Sequence, residues 1–147
     1  MASNNFSVTG GCRCTDNPVR FEYNQPPFEV HYCLCTDCTD ICGGAMAIIA
    51  VVERQAFRIL QGADKIQNFD TKPTCHRRFC KICGCHMFLY VDAFPDHLLI
   101  HVPTLDRGME VGKKPDRWVF VGSKHPLVTL PEDGLPRHAG WAPTASS

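Results

Sequence analysis

The sequence lacks any apolar stretch long enough to cross a lipid bilayer, which takes about 18 residues or more. Its longest apolar run, Ala45 to Val52, has only the length of a strand. The sequence also lacks an excess of charge of either sign, because 15 basic side chains are matched by 15 acidic ones. Without a strongly basic surface there is little to attract nucleic acid or anionic lipid. We therefore expect neither nucleic acid nor a membrane among the partners.

A secretory signal is missing too, because the first residues, Met1 to Phe6, contain no positive region and no apolar core. We therefore expect a cytoplasmic protein, in a compartment that keeps thiols reduced. A framework of disulfides is not expected there, although the chain has ten cysteines. Metal binding is the remaining explanation for so much cysteine.

Helical periodicity is scarce, and most of the sequence follows the two-residue alternation of half-buried strands. Single helical turns are expected at residues 53–56 and 105–110. The predicted strands cover residues 19–23, 28–32, 46–52, 57–60, 65–69, 74–79, 86–90, 98–102 and 118–121. At 147 residues the chain suits one domain, which we predict to be mainly β, with flexible ends at residues 1–6 and 142–147.

Most of the cysteines fall into three short clusters: Cys12 and Cys14; Cys33, Cys35 and Cys38; and Cys80, Cys83 and Cys85. A Cys-x-x-Cys turn lets two thiolates converge on one ion. Glycine directly after the second cysteine, as at Gly84, permits the positive φ that such a turn often needs. Zinc prefers four ligands in a tetrahedron, and one pair of clusters can supply them: Cys12, Cys14, Cys80 and Cys83. That closed set would be structural.

The middle cluster contributes three thiolates, from Cys33, Cys35 and Cys38. A site with three protein ligands keeps its fourth position for water or substrate, which is the usual arrangement of catalytic zinc. The ligand count therefore predicts two zinc ions per chain. One of the spare cysteines could instead complete the second site and make it structural as well: Cys42, Cys75 or Cys85.

Taken together, these clusters resemble the family of glutathione-dependent formaldehyde-activating enzymes, which includes the centromere protein V type. The resemblance covers about residues 7–141. Its elements are Gly10-Gly11-Cys12-Arg13-Cys14, Val30-His31-Tyr32-Cys33-Leu34-Cys35-Thr36-Asp37-Cys38, Phe79-Cys80-Lys81-Ile82-Cys83-Gly84-Cys85, Ser123-Lys124-His125-Pro126 and Asp133-Gly134-Leu135-Pro136.

The resemblance implies a single-domain β-tent fold, in which two small antiparallel sheets pack around a structural zinc. It assigns that zinc to Cys12, Cys14, Cys80 and Cys83, and a second zinc to Cys33, Cys35 and Cys38. One departure is Leu34, where the family usually has a histidine between the first two cysteines of the middle cluster. Any proton-handling role of that histidine would be lost here, and the substrate could differ accordingly.

The family reaction joins glutathione to formaldehyde reversibly, so the resemblance implies a zinc-dependent carbon–sulfur lyase or synthase that acts on a thiol adduct such as S-(hydroxymethyl)glutathione. Its partner would be a small-molecule thiol or thiol adduct. A proton carrier is needed, and the unranked candidates are His31, His76, His86, His101 and His125. Basic residues beside the ligands, Arg13, Arg77, Arg78 and Lys81, could offset thiolate charge or hold a glutathione carboxylate.

The alternatives are a non-catalytic zinc module for protein interaction and an enzyme of specialised metabolism on the same scaffold.

Overall fold

The computed structural model describes residues 5–141 of the chain, so most of the two predicted flexible ends, residues 1–4 and 142–147, lies outside the described residues. The ring of Phe6 packs against that of Tyr23, with 6.0 Å between the ring centroids. No helix between residues 5 and 141 has the length and apolar character needed to cross a bilayer.

Strands dominate the described residues, as the alternation predicts. They are β1 Val8–Gly11, β2 Arg20–Tyr23, β3 Glu29–Cys33, β4 Ala47–Glu53, β5 Phe57–Gln61, β6 Ile66–Lys72, β7 Cys75–Cys80, β8 His86–Val91, β9 His97–His101 and β10 Arg117–Val119. One α-helix, α1 Thr36–Cys42, separates β3 from β4, and 3-10 turns lie at Arg54–Ala56, Ala63–Lys65, Val102–Thr104 and Val121–Ser123.

The strands form two sheets. The smaller has the order β1-β2-β5, and the larger has the order β10-β3-β4-β9-β8-β7-β6. Neighbouring strands pair antiparallel except β10, which pairs parallel with β3 and so departs from the all-antiparallel expectation. The mainly β fold class is confirmed.

The main core lies between the two sheets, because each sheet turns one row of alternating apolar side chains towards the other. Phe21 of the smaller sheet is fully buried and meets Phe57 at 5.3 Å and Phe88 of the larger sheet at 6.2 Å between ring centroids. Burial of such side chains stabilises the fold by roughly 1.5–3 kcal/mol each. The same core includes Cys80, which therefore fixes one end of β7 against the smaller sheet.

The opposite face of the larger sheet carries a second, smaller buried cluster and also chemically active side chains. Glu29, His31 and Cys33 alternate along β3 with residues of the other face, so all three share this side of the sheet. Across the strands, Val51 pairs with both Glu29 and Leu99, which places aliphatic side chains beside the polar ones.

Three local predictions differ from the structure. The helix α1 is missed by the sequence because the thiol of Cys35 caps it, accepting a hydrogen bond from the backbone of Cys38, whereas sequence signals for caps rest on Ser, Thr, Asp and Asn. Strand β1 is also missed, since two of its four residues are glycine. The helical turn expected at residues 105–110 is wrong, because Leu105 instead forms an isolated antiparallel bridge with Gly10.

Candidate metal centres

Four cysteines from both halves of the chain converge at one end of the fold. The sulfurs of Cys12, Cys14, Cys80 and Cys83 all lie within 4.8 Å of one another, and those of Cys14 and Cys80 are 3.6 Å apart. Ligands of a tetrahedral ion with metal–sulfur bonds of about 2.3 Å are separated by about 3.8 Å. The spacing of these sulfurs therefore suits a single tetrahedral metal ion.

Local backbone geometry aims donors at these sulfurs. Cys12 follows directly after β1, and its sulfur accepts a hydrogen bond from the backbone N–H of Val19 at 3.1 Å. The Cys83 sulfur accepts one from the backbone N–H of Arg13 at 3.4 Å. Gly84 adopts φ +80°, and its N–H donates to the Cys80 carbonyl at 2.8 Å, which closes the turn. Such donors favour thiolates over neutral thiols, as a metal site requires.

Without a cation, so many thiols cannot all ionise side by side. The pKa of Cys14 is raised to about 12, first by burial of the thiol and then by hydrogen bonds with the neighbouring cysteines. A divalent cation at the centre of the set would reverse this effect, because it favours the charged form of each ligand. The chemistry of this donor set therefore fits a metal ion.

The second cluster is built by the end of β3 and the start of α1. Cys33 is the last residue of β3, Cys35 is the cap of the helix, and Cys38 lies in the first helical turn. Their three sulfurs lie within 4.8 Å of one another, and no fourth His, Cys, Asp or Glu atom of residues 5–141 joins the group. This set can hold a metal ion with one coordination position left to another molecule.

Protonation within this cluster is uneven. The pKa of Cys35 is lowered, because the thiols of Cys33 and Cys38 donate hydrogen bonds to its sulfur. The pKa of Cys33 is raised, because its proton is held in the hydrogen bond to Cys35. The hydrogen bonds within this cluster thus favour the thiolate form of Cys35, which is the form that binds a cation.

Arg77 joins this cluster from β7. Its side chain is 2% exposed; its Nη2 donates to the Cys38 sulfur at 3.5 Å and its Nε to the Thr71 hydroxyl at 3.3 Å. Its Nη1 is buried without a hydrogen-bond partner among the described residues. An unpaired buried donor costs about 1–3 kcal/mol, and more when charged, so this atom requires an explanation.

A cavity of about 300 Å³ lies beside this cluster and is lined by all three of its cysteines and by Arg77. Much of the remaining wall is apolar, with five aliphatic side chains from the larger sheet and four aromatic ones: Ile49, Val51, Leu89, Val91, Leu99, Phe28, Phe94, Phe120 and Trp141. The polar part of the wall includes Glu29 and two histidines, His31 and His97. The volume is at the lower end of the range for small-molecule sites.

His31 lies in a chain of polar contacts at the cavity wall. Its Nδ1 is 2.8 Å from Glu29, and Arg117 donates to the same carboxylate oxygen at 2.9 Å. The hydrogen bond with His31, followed by that with Arg117, lowers the pKa of Glu29 to about 2 despite its burial. Because the carboxylate is ionised, it accepts from Nδ1–H, which leaves Nε2 as the ring nitrogen that can accept a proton.

The other histidine candidates lie elsewhere. His76 is held between Asp70 and Asp92 at 2.8 Å each, and His125 belongs to an exposed turn. His86 and His101 line a second cavity of about 370 Å³, where burial lowers the pKa of His101 to about 4. His97, which was not among the candidates from the sequence, begins β9 directly before three apolar residues and carries no motif that would mark it.

The structure also locates the spare cysteines and Leu34 relative to the two cavities. Cys75 lines the first cavity next to Arg77, whereas Cys42 and Cys85 line the second one with His101. None of the three joins a group of close sulfurs. Leu34 is buried and is not among the described residues that line either cavity.

Comparison with known proteins gives matches across most of the chain. The family model described as "Glutathione-dependent formaldehyde-activating enzyme" matches residues 7–123. A curated Penicillium rubens protein named after that family is 33% identical over 85 residues, which are 56% of this chain and 44% of the relative. An Aspergillus terreus protein of the same name is 29% identical over 77 residues, which are 52% of this chain and 40% of the relative. The chain thus spans less than half the length of these curated relatives.

A solved structure shares the fold. The crystal structure of a Rhodobacter sphaeroides protein superposes with a TM-score of 0.58 at 22% identity, covering 76% of this chain and 99% of that one. At this level of identity the likeness concerns the arrangement of strands and not the chemistry of the site.

Proposed function

The chain belongs to the glutathione-dependent formaldehyde-activating enzyme family, and from this premise we propose that it is a carbon–sulfur lyase that joins a thiol to an aldehyde and cleaves the adduct again. The observation that carries the proposal is the position of Cys33, Cys35 and Cys38 on the wall of a cavity large enough for a small molecule. The family description supports glutathione as the thiol and formaldehyde as the simplest aldehyde.

We propose zinc at both cysteine sets, because a set made only of thiolates suits zinc better than hard cations. The closed set of Cys12, Cys14, Cys80 and Cys83 would hold a structural ion. Cys33, Cys35 and Cys38 would hold the second. Zinc bound there supplies a positive charge that lowers the pKa of an incoming thiol and keeps it as a thiolate.

The protein's own residues account for the proton. Addition of a thiolate to an aldehyde forms a C–S bond and moves the C=O electron pair onto oxygen, which then takes up the proton that the thiol released. His31 suits this transfer, because its ring lines the cavity, Glu29 fixes its Nδ1–H, and Nε2 is left to accept a proton. Its position supports His31 over His76, whose ring nitrogens are both bound to carboxylates outside the cavity.

The proposal is tested by NMR exchange spectroscopy with glutathione and formaldehyde on the zinc-loaded protein. We expect faster exchange between free and adduct forms with the wild-type protein, and loss of that acceleration in Cys35→Ser. The matched control is Cys42→Ser, which removes an exposed thiol outside both sulfur groups and should keep the wild-type rate.

Metal analysis accompanies the kinetics. We expect about two zinc ions per chain in the wild-type protein and about one in a folded Cys35→Ser variant. A mild chelator should remove the ion of the three-cysteine set first, since that set has fewer protein ligands. Absence of exchange in a protein that holds both ions would contradict the enzyme and favour a non-catalytic zinc module. We propose the cytoplasm as its location, because thiolate ligands and glutathione both require a reducing compartment.

A further inference from the structure

The cavity beside the three-cysteine set is larger and more apolar than formaldehyde requires. Its volume is about 300 Å³, whereas an apolar cavity of about 150 Å³ can hold a benzene molecule. A one-carbon aldehyde has no substituent to place against the aliphatic wall. Because the thiol must reach the same cavity, the wall indicates an aldehyde whose apolar group is no larger than about one ring.

The aliphatic wall is continuous and leads to a single basic group. Val51 of β4 pairs with Leu99 of β9, Leu99 pairs with Leu89 of β8, and Leu89 pairs with Arg77 of β7. All four side chains line the cavity. We call the first three the aliphatic strip. A molecule lying along this strip would have Arg77 at one of its ends.

Two of the described residues that line the cavity are lysine or arginine, and Arg77 is the one with a buried side-chain donor left for a ligand. Lys72, the other one, lies 3.4 Å from the carboxylate of Asp37. Arg77 uses Nη2 and Nε for Cys38 and Thr71, whereas Nη1 is buried and has no partner among residues 5–141. A cationic donor in an apolar wall is suited to an oxygen that gains negative charge, because few competing waters and a low local dielectric strengthen that interaction.

We propose that the aldehyde handled at this site is an apolar one, aryl or branched aliphatic, with its oxygen bound by Arg77 Nη1 and its side chain on the aliphatic strip. This inference rests on the proposed function. In the forward step the thiolate sulfur forms a bond to the aldehyde carbon, and the C=O pair moves to the oxygen held by Arg77. The proton lost by the thiol returns to that oxygen, so a thiol and an aldehyde give one neutral hemithioacetal.

A binding experiment tests the ligand class without relying on turnover. The probes are phenylacetamide, a non-reacting mimic with a carbonyl oxygen and an apolar ring, and acetamide, which lacks the ring. NMR titration of the zinc-loaded protein should show phenylacetamide binding at least about ten-fold more tightly, as filling of an apolar pocket predicts. Val91→Trp, which fills the cavity, should abolish this preference, while Leu127→Trp, at a residue that is 88% exposed, should keep it.

The role of Arg77 is tested with Arg77→Gln, which should weaken binding of both amides about ten-fold, because it removes the hydrogen bond to their common oxygen. Arg77→Gln also loses the contact with Cys38 and could fail to fold. In that case the Val91→Trp variant still tests the proposal. Exchange of glutathione with phenylacetaldehyde, relative to the uncatalysed rate, should be accelerated at least about ten-fold more than exchange with formaldehyde.

The outcomes separate this inference from the function on which it rests. Equal binding of the two amides, or faster catalysed exchange with formaldehyde than with phenylacetaldehyde, overturns the apolar aldehyde and leaves the lyase standing. Tight binding of phenylacetamide with no accelerated exchange of either aldehyde supports the ligand class and overturns the lyase.

Discussion

Removal of the N-terminal half of the four-cysteine set should cost the protein much of its stability. The perturbation is the double substitution Cys12→Ser with Cys14→Ser. In the folded chain these residues meet Cys80 and Cys83, with all four sulfurs within 4.8 Å. In the variant only Cys80 and Cys83 remain, and these are close in sequence, so an ion on that pair no longer links distant parts of the chain.

The magnitude follows from the loop that the metal would close. Cys14 and Cys80 are separated by 66 positions. An unfolded chain that brought both to one ion would lose about 4 kcal/mol of conformational free energy at 25 °C by the chain-entropy relation for such a loop. The folded chain has already brought them together, so metal binding favours the folded state by about this amount. The corresponding shift of the melting temperature is roughly 8–16 °C for a chain of this size.

Urea denaturation followed by circular dichroism measures the effect, with zinc content determined in parallel. The double variant should hold one zinc ion fewer and have a free energy of unfolding lower by about 4 kcal/mol. A strong chelator should bring the wild-type protein close to the variant, because the residues of the other set, Cys33 to Cys38, close only a short loop. Cys42→Ser is the control and should change stability by less than about 0.5 kcal/mol.

Two results would refute this reasoning. One is a double variant as stable as the wild-type protein in the absence of chelator. The other is a chelator effect that adds in full to that of the double substitution, because both perturbations are expected to remove the same link between Cys14 and Cys80.

Three further predictions concern the cavity and the strand before the four-cysteine set. His31→Asn should slow adduct exchange about 10²–10⁴-fold by removing the proton carrier, whereas His76→Asn should keep the wild-type rate in the same NMR assay. The pKa of Glu29 is lowered from 4.5 to about 2 in the folded protein, so its carboxylate should contribute about 3 kcal/mol of stability above pH 4.5 that is lost as the pH falls towards 2. Urea denaturation should show Glu29→Gln less stable than wild type at pH 6 and the difference closing near pH 2; a pH-independent difference would exclude the ionised carboxylate as its source. Gly11→Ala should lower the free energy of unfolding by about 1–3 kcal/mol, because a Cβ would meet the Val19 carbonyl oxygen at 2.0 Å, whereas Gly44→Ala, whose nearest contact would be 3.6 Å, should not destabilise.

The strands could be predicted because their signal is local. Alternation of apolar and polar residues marks one face of a strand wherever that strand packs, so each predicted strand overlaps an observed one. The helix α1 could not be predicted in this way. Its cap is the thiol of Cys35, and a cysteine at that position of the sequence predicts a metal ligand rather than the start of a helix.

The cysteine sets could be assigned before the fold was known, because the ligand count and the Cys-x-x-Cys spacing restrict which thiols can share an ion. The structure brings together the sulfurs of both sets, while whether they bind zinc is still a prediction. The unused cysteines were ambiguous in the sequence. The structure separates Cys75, on the first cavity, from Cys42 and Cys85, on the second.

By itself the sequence determined the mainly β class, the grouping of the cysteines and the family, since each depends on residue type and spacing along the chain. The tertiary structure alone decided which histidines and which arginine line the cavity beside the three-cysteine set. His31 and Arg77 are 46 positions apart in the numbering and reach one cavity through strand pairing across the sheet. Both were among several unranked candidates in the sequence, and which of these reach one cavity depends on register and burial that only the folded chain fixes.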